Sequence, residues 1–98
     1  MTVYALGAWY VKPGREDDFV AAWDRLGRWT IENGFESAGT LLRDRSEPTR
    51  FLSFGPWRSA EDAERWRASA GFAERFAELE ETIERFEPGL YDVVLRIS

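Results

Sequence analysis

The sequence predicts an α+β fold of the ferredoxin-like type, in which helices cover one face of an antiparallel sheet. Three observations support this prediction. Apolar runs that end at glycine or proline alternate with longer segments whose apolar residues recur every three or four positions. These segments follow one another as strand, helix, strand, strand, helix, strand, which is the βαββαβ order. The 98 residues suffice for one domain (1–98), and no linker, internal repeat or low-complexity tract divides them.

The first strand is predicted at Val3–Val11, where apolar residues occupy almost every position before Lys12-Pro13-Gly14. Because apolar residues stand at both odd and even positions, we expect both faces of this strand to be covered. The first helix is predicted from near Arg15 to about Asn33-Gly34, a dipeptide that commonly ends helices. Its apolar stripe consists of Phe19, Ala22, Trp23, Leu26, Trp29, Thr30 and Asn33.

The second and third strands are predicted as a hairpin. Residues 37–44 and 50–54 supply the strands, and the polar residues 45–49 supply a loop longer than the tightest type. Gly55-Pro56 is expected to end the third strand, because proline has no N–H for the ladder.

The second helical region is predicted to begin at Ser59, with Asp62 three residues later as in a capping box. Gly71 is expected to interrupt it, since glycine is a poor helix former. Beyond it, a second apolar stripe consists of Phe72, Phe76, Leu79 and Ile83. Glu87-Pro88-Gly89 is expected to break the helix, so that residues 90–97 form the last strand.

The predicted sheet has one face that the helices cannot cover. Tyr4, Leu6, Ala8 and Tyr10 would form an apolar patch on this face of a monomer. A second copy packed sheet against sheet would bury the patch, so we expect a symmetric homodimer through the sheet face.

The composition excludes several classes of function. The chain has no histidine and no cysteine, which rules out a serine triad, thiolate chemistry and disulfides. Its net charge is −5 with both signs interspersed, so we expect no nucleic-acid partner. Glu78, Glu80, Glu81 and Glu84 are interpreted as a solvated helix face, and no metal site is expected. Phosphate-binding, dinucleotide-binding and nucleophile-elbow motifs do not occur.

The sequence also indicates a location. The N-terminal residues do not combine a basic region with an apolar run as a signal peptide does, and no apolar segment approaches membrane-spanning length. A cytoplasmic protein with no membrane partner is therefore expected.

One group of residues resembles a known family. Trp57-Arg58-Ser59 at a strand end is followed by Trp66 nine residues on and by Phe72 six after that, with Pro13-Gly14 and Phe19 upstream. This pattern resembles the antibiotic biosynthesis monooxygenase family, over essentially the whole chain. The resemblance implies a dimeric α+β barrel. It also implies an activity among those of the family, which include cofactor-independent oxygenases of aromatic polyketides, quinol monooxygenases and haem-degrading monooxygenases.

The resemblance also allows the haem-degrading activity to be judged. Haem-degrading members have an asparagine on the first strand, a tryptophan in the second helical region and a haem-ligating histidine ten residues beyond it. Carried over to this chain, these positions hold Gly7, Trp66 and Phe76. Since phenylalanine cannot ligate iron, no haem cofactor and no haem degradation are expected. The absence of histidine likewise disfavours relatives that use it in quinol oxidation or as a general base.

The chemistry that remains is cofactor-free oxygenation of a phenolic, hydroquinone or polyketide-like aromatic molecule, for which aromatic walls and an anion-stabilising donor are needed. Trp66, as a wall and indole N–H donor, and Arg43, as an anion stabiliser, are the candidate catalytic residues. The candidate substrate-binding residues are Trp9, Trp29, Phe72 and Phe76.

Two alternatives stay open. Aromatic residues make up 15% of the chain, and large rings also serve small domains simply as core. In the first alternative the rings only fill the core, and the protein is a structural dimer with a filled interior. The other alternative is a non-catalytic dimer of the same fold that binds a small hydrophobic ligand.

Overall fold

The computed structural model describes residues 2–98. Their elements are β1 Val3–Val11, α1 Glu16–Glu32, β2 Thr40–Arg43, β3 Arg50–Trp57, α2 Ala60–Ala68, α3 Ala70–Glu80 and β4 Ile83–Asp92. The strands form an antiparallel sheet in the order β2-β3-β1-β4. The predicted ferredoxin-like α+β fold is confirmed. None of the helices in this part of the chain is both long and apolar enough to cross a membrane.

Strand β1 lies in the middle of the sheet and has the predicted bounds. It pairs with β3 and β4, and Trp9 stands directly opposite Phe51 on one side and Phe86 on the other. The face that carries Val3, Trp9 and Val11 is covered, since each of these side chains is at most 6% exposed. The main core consists of Trp9, Val11, Phe19, Ala22, Leu26, Phe51 and Leu79. Burial of each large apolar side chain contributes roughly 1.5–3 kcal/mol, which holds the helices on this face.

The other face of the sheet is uncovered in the single chain. The register places Leu6 opposite Phe54, and Leu52 opposite Leu42. These four side chains are 37–48% exposed, and Tyr91 on β4 is 58% exposed. The sequence predicted an apolar patch of Tyr4, Leu6, Ala8 and Tyr10 on this face of β1; Leu6 is exposed, whereas Tyr4, Ala8 and Tyr10 are half-buried within the single chain. We call the exposed residues Leu6, Leu42, Leu52, Phe54 and Tyr91 the outer face.

Helices α1 and α2 follow the predicted signals at their ends. Helix α1 ends at Glu32, and Gly34 beyond it has φ 84°, a left-handed conformation that glycine adopts without steric cost. At the start of α2, the Ser59 hydroxyl accepts a hydrogen bond from the Asp62 N–H at 3.2 Å. This bond satisfies one of the N–H groups that a helix start leaves unpaired.

The helix break falls at Ser69 rather than at Gly71, which lies inside α3. The Ser69 hydroxyl donates to the Trp66 carbonyl at 2.8 Å and accepts from the Phe72 N–H at 3.2 Å. One side chain therefore caps the end of α2 and the start of α3.

The β2–β3 hairpin departs from the prediction at one end. Strand β3 continues through Gly55-Pro56, and β2 begins only at Thr40. The chain before Thr40 leaves the sheet edge and crosses β3 at Gly55, where a Cβ would overlap the Ala38 carbonyl oxygen. Ser37 Oγ donates to the Pro56 carbonyl at 2.9 Å. Because β2 does not extend as far as Pro56, the missing proline N–H costs no bond to that strand.

The predicted last strand is wrong over most of its length. Strand β4 spans Ile83–Asp92, and residues 93–98 belong to no helix or strand. Pro88, interpreted as part of a helix breaker, stands within β4 opposite Gly7 of β1. An edge strand tolerates a residue without an N–H. Pairing with β1 therefore overrides the local signals.

Candidate functional site

A cavity of about 320 Å³ lies between the helices and the covered face of the sheet. Its wall is built from β1, β3, β4, the three helices and the segment that crosses Gly55. The aromatic residues of the wall whose rings lie on this side of the sheet are Trp9, Trp23, Trp57, Trp66, Phe72, Phe76 and Phe86. Exposed Ile31 is also part of the wall, so the cavity reaches the surface.

The rings around the cavity form a continuous cluster. Phe86 stacks on Trp9 with centroids 3.8 Å apart and planes 17° apart. Phe76 is 5.5 Å from Phe86 and 5.3 Å from Phe72, and Phe72 meets Trp66 edge to face at 4.6 Å. Each such pair of rings stabilises the fold by roughly 0.5–1.5 kcal/mol in addition to the contribution of its buried apolar area. The wall that faces a ligand is therefore held by ring contacts between different elements.

The two indole N–H groups of Trp66 and Trp9 are satisfied within the protein. Trp66 Nε1 donates to Thr30 Oγ1 at 2.9 Å, and the Thr30 hydroxyl donates in turn to the Leu26 carbonyl at 2.8 Å. Trp9 Nε1 donates to Ser53 Oγ at 2.9 Å. The predicted indole donor of Trp66 is thus engaged by Thr30. Ser53 lines the cavity, and its hydroxyl donates to none of the side-chain or backbone acceptors among residues 2–98.

Among residues 2–98, three with charged side chains line the cavity: Asp24, Arg28 and Arg67. Asp24 and Arg28 form an ion pair at 3.1 Å on the surface of α1. Arg67 is half-buried and takes part in none of the ion pairs formed among residues 2–98. Burial lowers the pKa of its guanidinium below the ordinary value, although the group stays charged near neutral pH.

The structure brings four of the six sequence-predicted site residues together. Trp9, Trp66, Phe72 and Phe76 line the cavity, whereas Trp29 and Arg43 are not part of its wall. The Trp29 ring packs beside Phe35 and under the Arg75 guanidinium, with ring centroids 5.9 Å from Phe35. Arg43 is exposed, and its guanidinium carbon lies 5.0 Å from the Phe51 ring centroid.

Sequence reasoning missed Ser53, Phe86 and Arg67 as wall residues. A signal existed for Arg67, because it follows Ala63 by four residues and therefore shares its helix face. Ala63 is fully buried, so this face is turned inward. No comparable signal existed for Ser53 or Phe86, because each faces the cavity only through strand pairing with β1.

The wall does not fit the haem site of the haem-degrading relatives. Phe76 stands where they have their iron ligand, and it is packed among other rings. A Cβ on Gly7, at the position of their asparagine, would lie 2.7 Å from Phe86 and 2.9 Å from Ser53 Oγ. The space for a side chain at this position is therefore already occupied.

Comparisons with known proteins bear on the fold and the family. The family model described as antibiotic biosynthesis monooxygenase matches residues 2–78. A variant of SnoaB, a cofactor-independent oxygenase from Streptomyces nogalater, superimposes with a TM-score of 0.89 at 20% identity over 98% of this chain and 96% of that one. A Bordetella bronchiseptica protein named for the same family gives 0.85 at 22% identity, over 96% and 98%.

A conserved Methanosarcina mazei protein gives a TM-score of 0.83 at 18% identity, over 93% of this chain and 91% of that one. At these low sequence identities, the superpositions show only that the folds are alike. Among curated proteins no sequence matches significantly. The family model covers well over half of the chain. The chain therefore belongs to the antibiotic biosynthesis monooxygenase family.

Proposed function

We propose that this protein is a cofactor-independent monooxygenase that oxidises a phenolic, hydroquinone or polyketide-like aromatic molecule in the aromatic-lined cavity. The cavity carries the proposal, because about 320 Å³ lies within the range of small-molecule pockets and its wall suits a flat, apolar ring system. Family membership supports the same reaction class, as does the likeness to SnoaB, which is described as a cofactor-independent oxygenase.

The reaction needs no external reductant, because the substrate supplies the electrons. An ionised phenol or enol transfers one electron to dioxygen, and the resulting radical pair combines to form a C–O bond. The hydroperoxide then loses water and leaves a carbonyl. The substrate loses two hydrogens and gains one oxygen atom, while the second oxygen atom leaves with those hydrogens as water.

The protein's part is to bind, orient and exclude water. Trp66 and Phe72 would form one wall against the flat substrate, and the stacked pair of Trp9 and Phe86 another. The Ser53 hydroxyl would donate a hydrogen bond to the substrate oxygen on which negative charge develops. An apolar wall strengthens this interaction by lowering the local dielectric.

A specific observation favours one alternative, a non-catalytic dimer that binds a small hydrophobic ligand. The wall contains no side chain suited to act as a general base near neutral pH, since its only carboxylate among the described residues, Asp24, is paired with Arg28. In this alternative an aromatic ligand would bind without oxygen consumption. If the protein is an oxygenase, its substrate has to give its proton to solvent rather than to a side chain of the wall.

Oxygen uptake with a panel of anthrones and hydroquinones tests the proposal. We expect substrate-dependent uptake by the wild-type protein and at least about a tenfold decrease in kcat/KM in Trp66→Phe, equivalent to about 1.4 kcal/mol, because the smaller ring leaves part of the wall unfilled and orients the flat substrate less well. Trp29→Phe is the matched control, because Trp29 lies outside the cavity, and it should stay within about twofold of wild type. No uptake above the uncatalysed rate, with ligand binding retained, would instead establish the binding protein.

We also propose that the protein is a homodimer through the outer face. Exposed apolar side chains extend across β1, β2, β3 and β4 on this face, as a self-complementary sheet-to-sheet contact requires. Beyond β4, Val94, Leu95 and Ile97 are 74–92% exposed. These side chains follow directly on an edge strand and would add apolar area to the same contact. We further propose that the protein is cytoplasmic.

A further inference from the structure

We propose that Arg67 recognises a negative charge on the ligand, so that the molecule that fills the cavity is a flat aromatic anion rather than a neutral hydrophobe. This inference rests on the proposed function, because it assumes that an aromatic molecule occupies the same cavity. It specifies in addition that the ligand is an anion and that Arg67 binds its anionic group.

The position of Arg67 on α2 turns it toward the cavity. It is in the last turn of the helix, next to Trp66 and four residues after Ala63, which is completely buried. Residues four apart share a helix face, so Arg67 approaches the interior along the same side as Ala63. Its side chain forms part of the wall to which Trp66 also belongs.

The charge of the wall favours an anion. Asp24 and Arg28 pair with each other and cancel, which leaves the charge of Arg67 unbalanced. The wall therefore carries one net positive charge in a protein whose net charge is −5. Such a local excess attracts an anionic ligand and repels a cationic one.

Arg67 also lacks the partner that a neighbouring arginine has. Arg65, in the same turn of α2, binds the Asp62 carboxylate at 3.0 Å and is 70% exposed. Arg67 is half-buried without such a carboxylate among residues 2–98. Partial desolvation weakens its contact with water, and an ionised ligand group would compensate with charge-assisted hydrogen bonds.

A pair of probes of nearly equal shape tests the inference: 2-naphthoate, which is an anion at pH 7, and 2-naphthamide, which is neutral. Titration calorimetry on the whole protein should give a Kd for naphthoate about tenfold lower than for naphthamide, as expected for a charge-assisted hydrogen bond. Arg67→Gln should raise the Kd of naphthoate about tenfold and leave that of naphthamide within about twofold. Added salt should weaken naphthoate binding only.

Arg65→Gln is the matched control, because it removes the same charge from the same helix turn while the cavity wall stays intact. It should leave both dissociation constants within about twofold. Arg67→Lys keeps the charge and should keep most of the preference for naphthoate, and thermal unfolding of each variant shows that it is folded.

The possible outcomes separate the two proposals. Binding of both probes without a preference for naphthoate, or a preference that Arg67→Gln leaves unchanged, overturns the role of Arg67 while the aromatic cavity stands. An equal loss in Arg65→Gln would show a general charge effect and also overturns it. If neither probe binds the wild-type protein, the role of Arg67 falls, whereas the proposed function is still decided by oxygen uptake with the anthrone and hydroquinone panel.

Discussion

At the scale of single residues, the Trp66 wall depends on one hydroxyl group. Thr30 is 6% exposed, and it is the acceptor for the Trp66 indole N–H at 2.9 Å. Without this acceptor, the N–H would be left unsatisfied in a largely apolar environment. Leaving a buried donor without a partner typically costs about 1–3 kcal/mol.

Thr30→Val should therefore lower the free energy of unfolding by about 1–3 kcal/mol in urea titrations. Thr30→Ser keeps the hydroxyl and should cost less. The same Thr30→Val change made in a Trp66→Phe background should also cost less, because the donor is then absent. Equal costs in both backgrounds would contradict the stabilising role of this hydrogen bond.

At the scale of elements, the start of α3 is shaped to the ring of Trp29. A Cβ on Gly71 would overlap this ring, whereas a Cβ on Gly27, in α1, would come no nearer than 3.9 Å to a neighbouring side chain. Glycine at position 71 thus allows α3 to pack closely against α1, and overpacking is the expected result of any larger residue.

Gly71→Ala should lower the free energy of unfolding by about 1–3 kcal/mol, because the ring or the helix must move. Gly27→Ala should be neutral or stabilising by up to about 1 kcal/mol, since alanine favours the helix and the space is open. Trp29→Leu in the Gly71→Ala background should recover part of the loss. A Gly71→Ala protein as stable as wild type would refute this close packing.

The elements that were predictable from sequence are those whose signals are local. The bounds of β1 and the end of α1 before Gly34 follow from apolar patterning and from a helix-stop residue. Strand β4 was not predictable, because Pro88 and its neighbours become a strand only through pairing with β1. The residues of the cavity wall show the same difference between local signals and long-range pairing. Trp66 was identified from its spacing to Trp57 and Phe72 along the chain, whereas Ser53 enters the wall through strand pairing.

At the scale of the whole molecule, the sheet separates two different surfaces. Its covered face holds the cavity, and its outer face exposes apolar side chains on every strand. Contiguous apolar patches of this kind are uncommon on monomers and usually mark an interface. The proposed dimer would cover the outer face while leaving the cavity on the opposite side of each sheet.

Leu52→Glu, at the middle of the outer face, should convert the dimer into a monomer in sedimentation or light-scattering measurements at micromolar concentration. A buried, unpaired carboxylate at the contact would cost several kcal/mol. Val20→Glu is the control, because Val20 on α1 is similarly exposed but lies on the helix side, and it should leave the mass unchanged. A wild-type protein that sediments as a monomer would contradict the dimer.

We propose above that an aromatic substrate is oxidised by dioxygen in the aromatic cavity without a cofactor. The most direct measurement is mass spectrometry of the product formed from an anthrone under isotopically labelled dioxygen by the purified protein free of added cofactors. This oxidation should give one labelled oxygen atom per product molecule, at a rate that falls in Trp66→Phe and not in Trp29→Phe. Product formed no faster than without protein, or carrying oxygen from water alone, would contradict it.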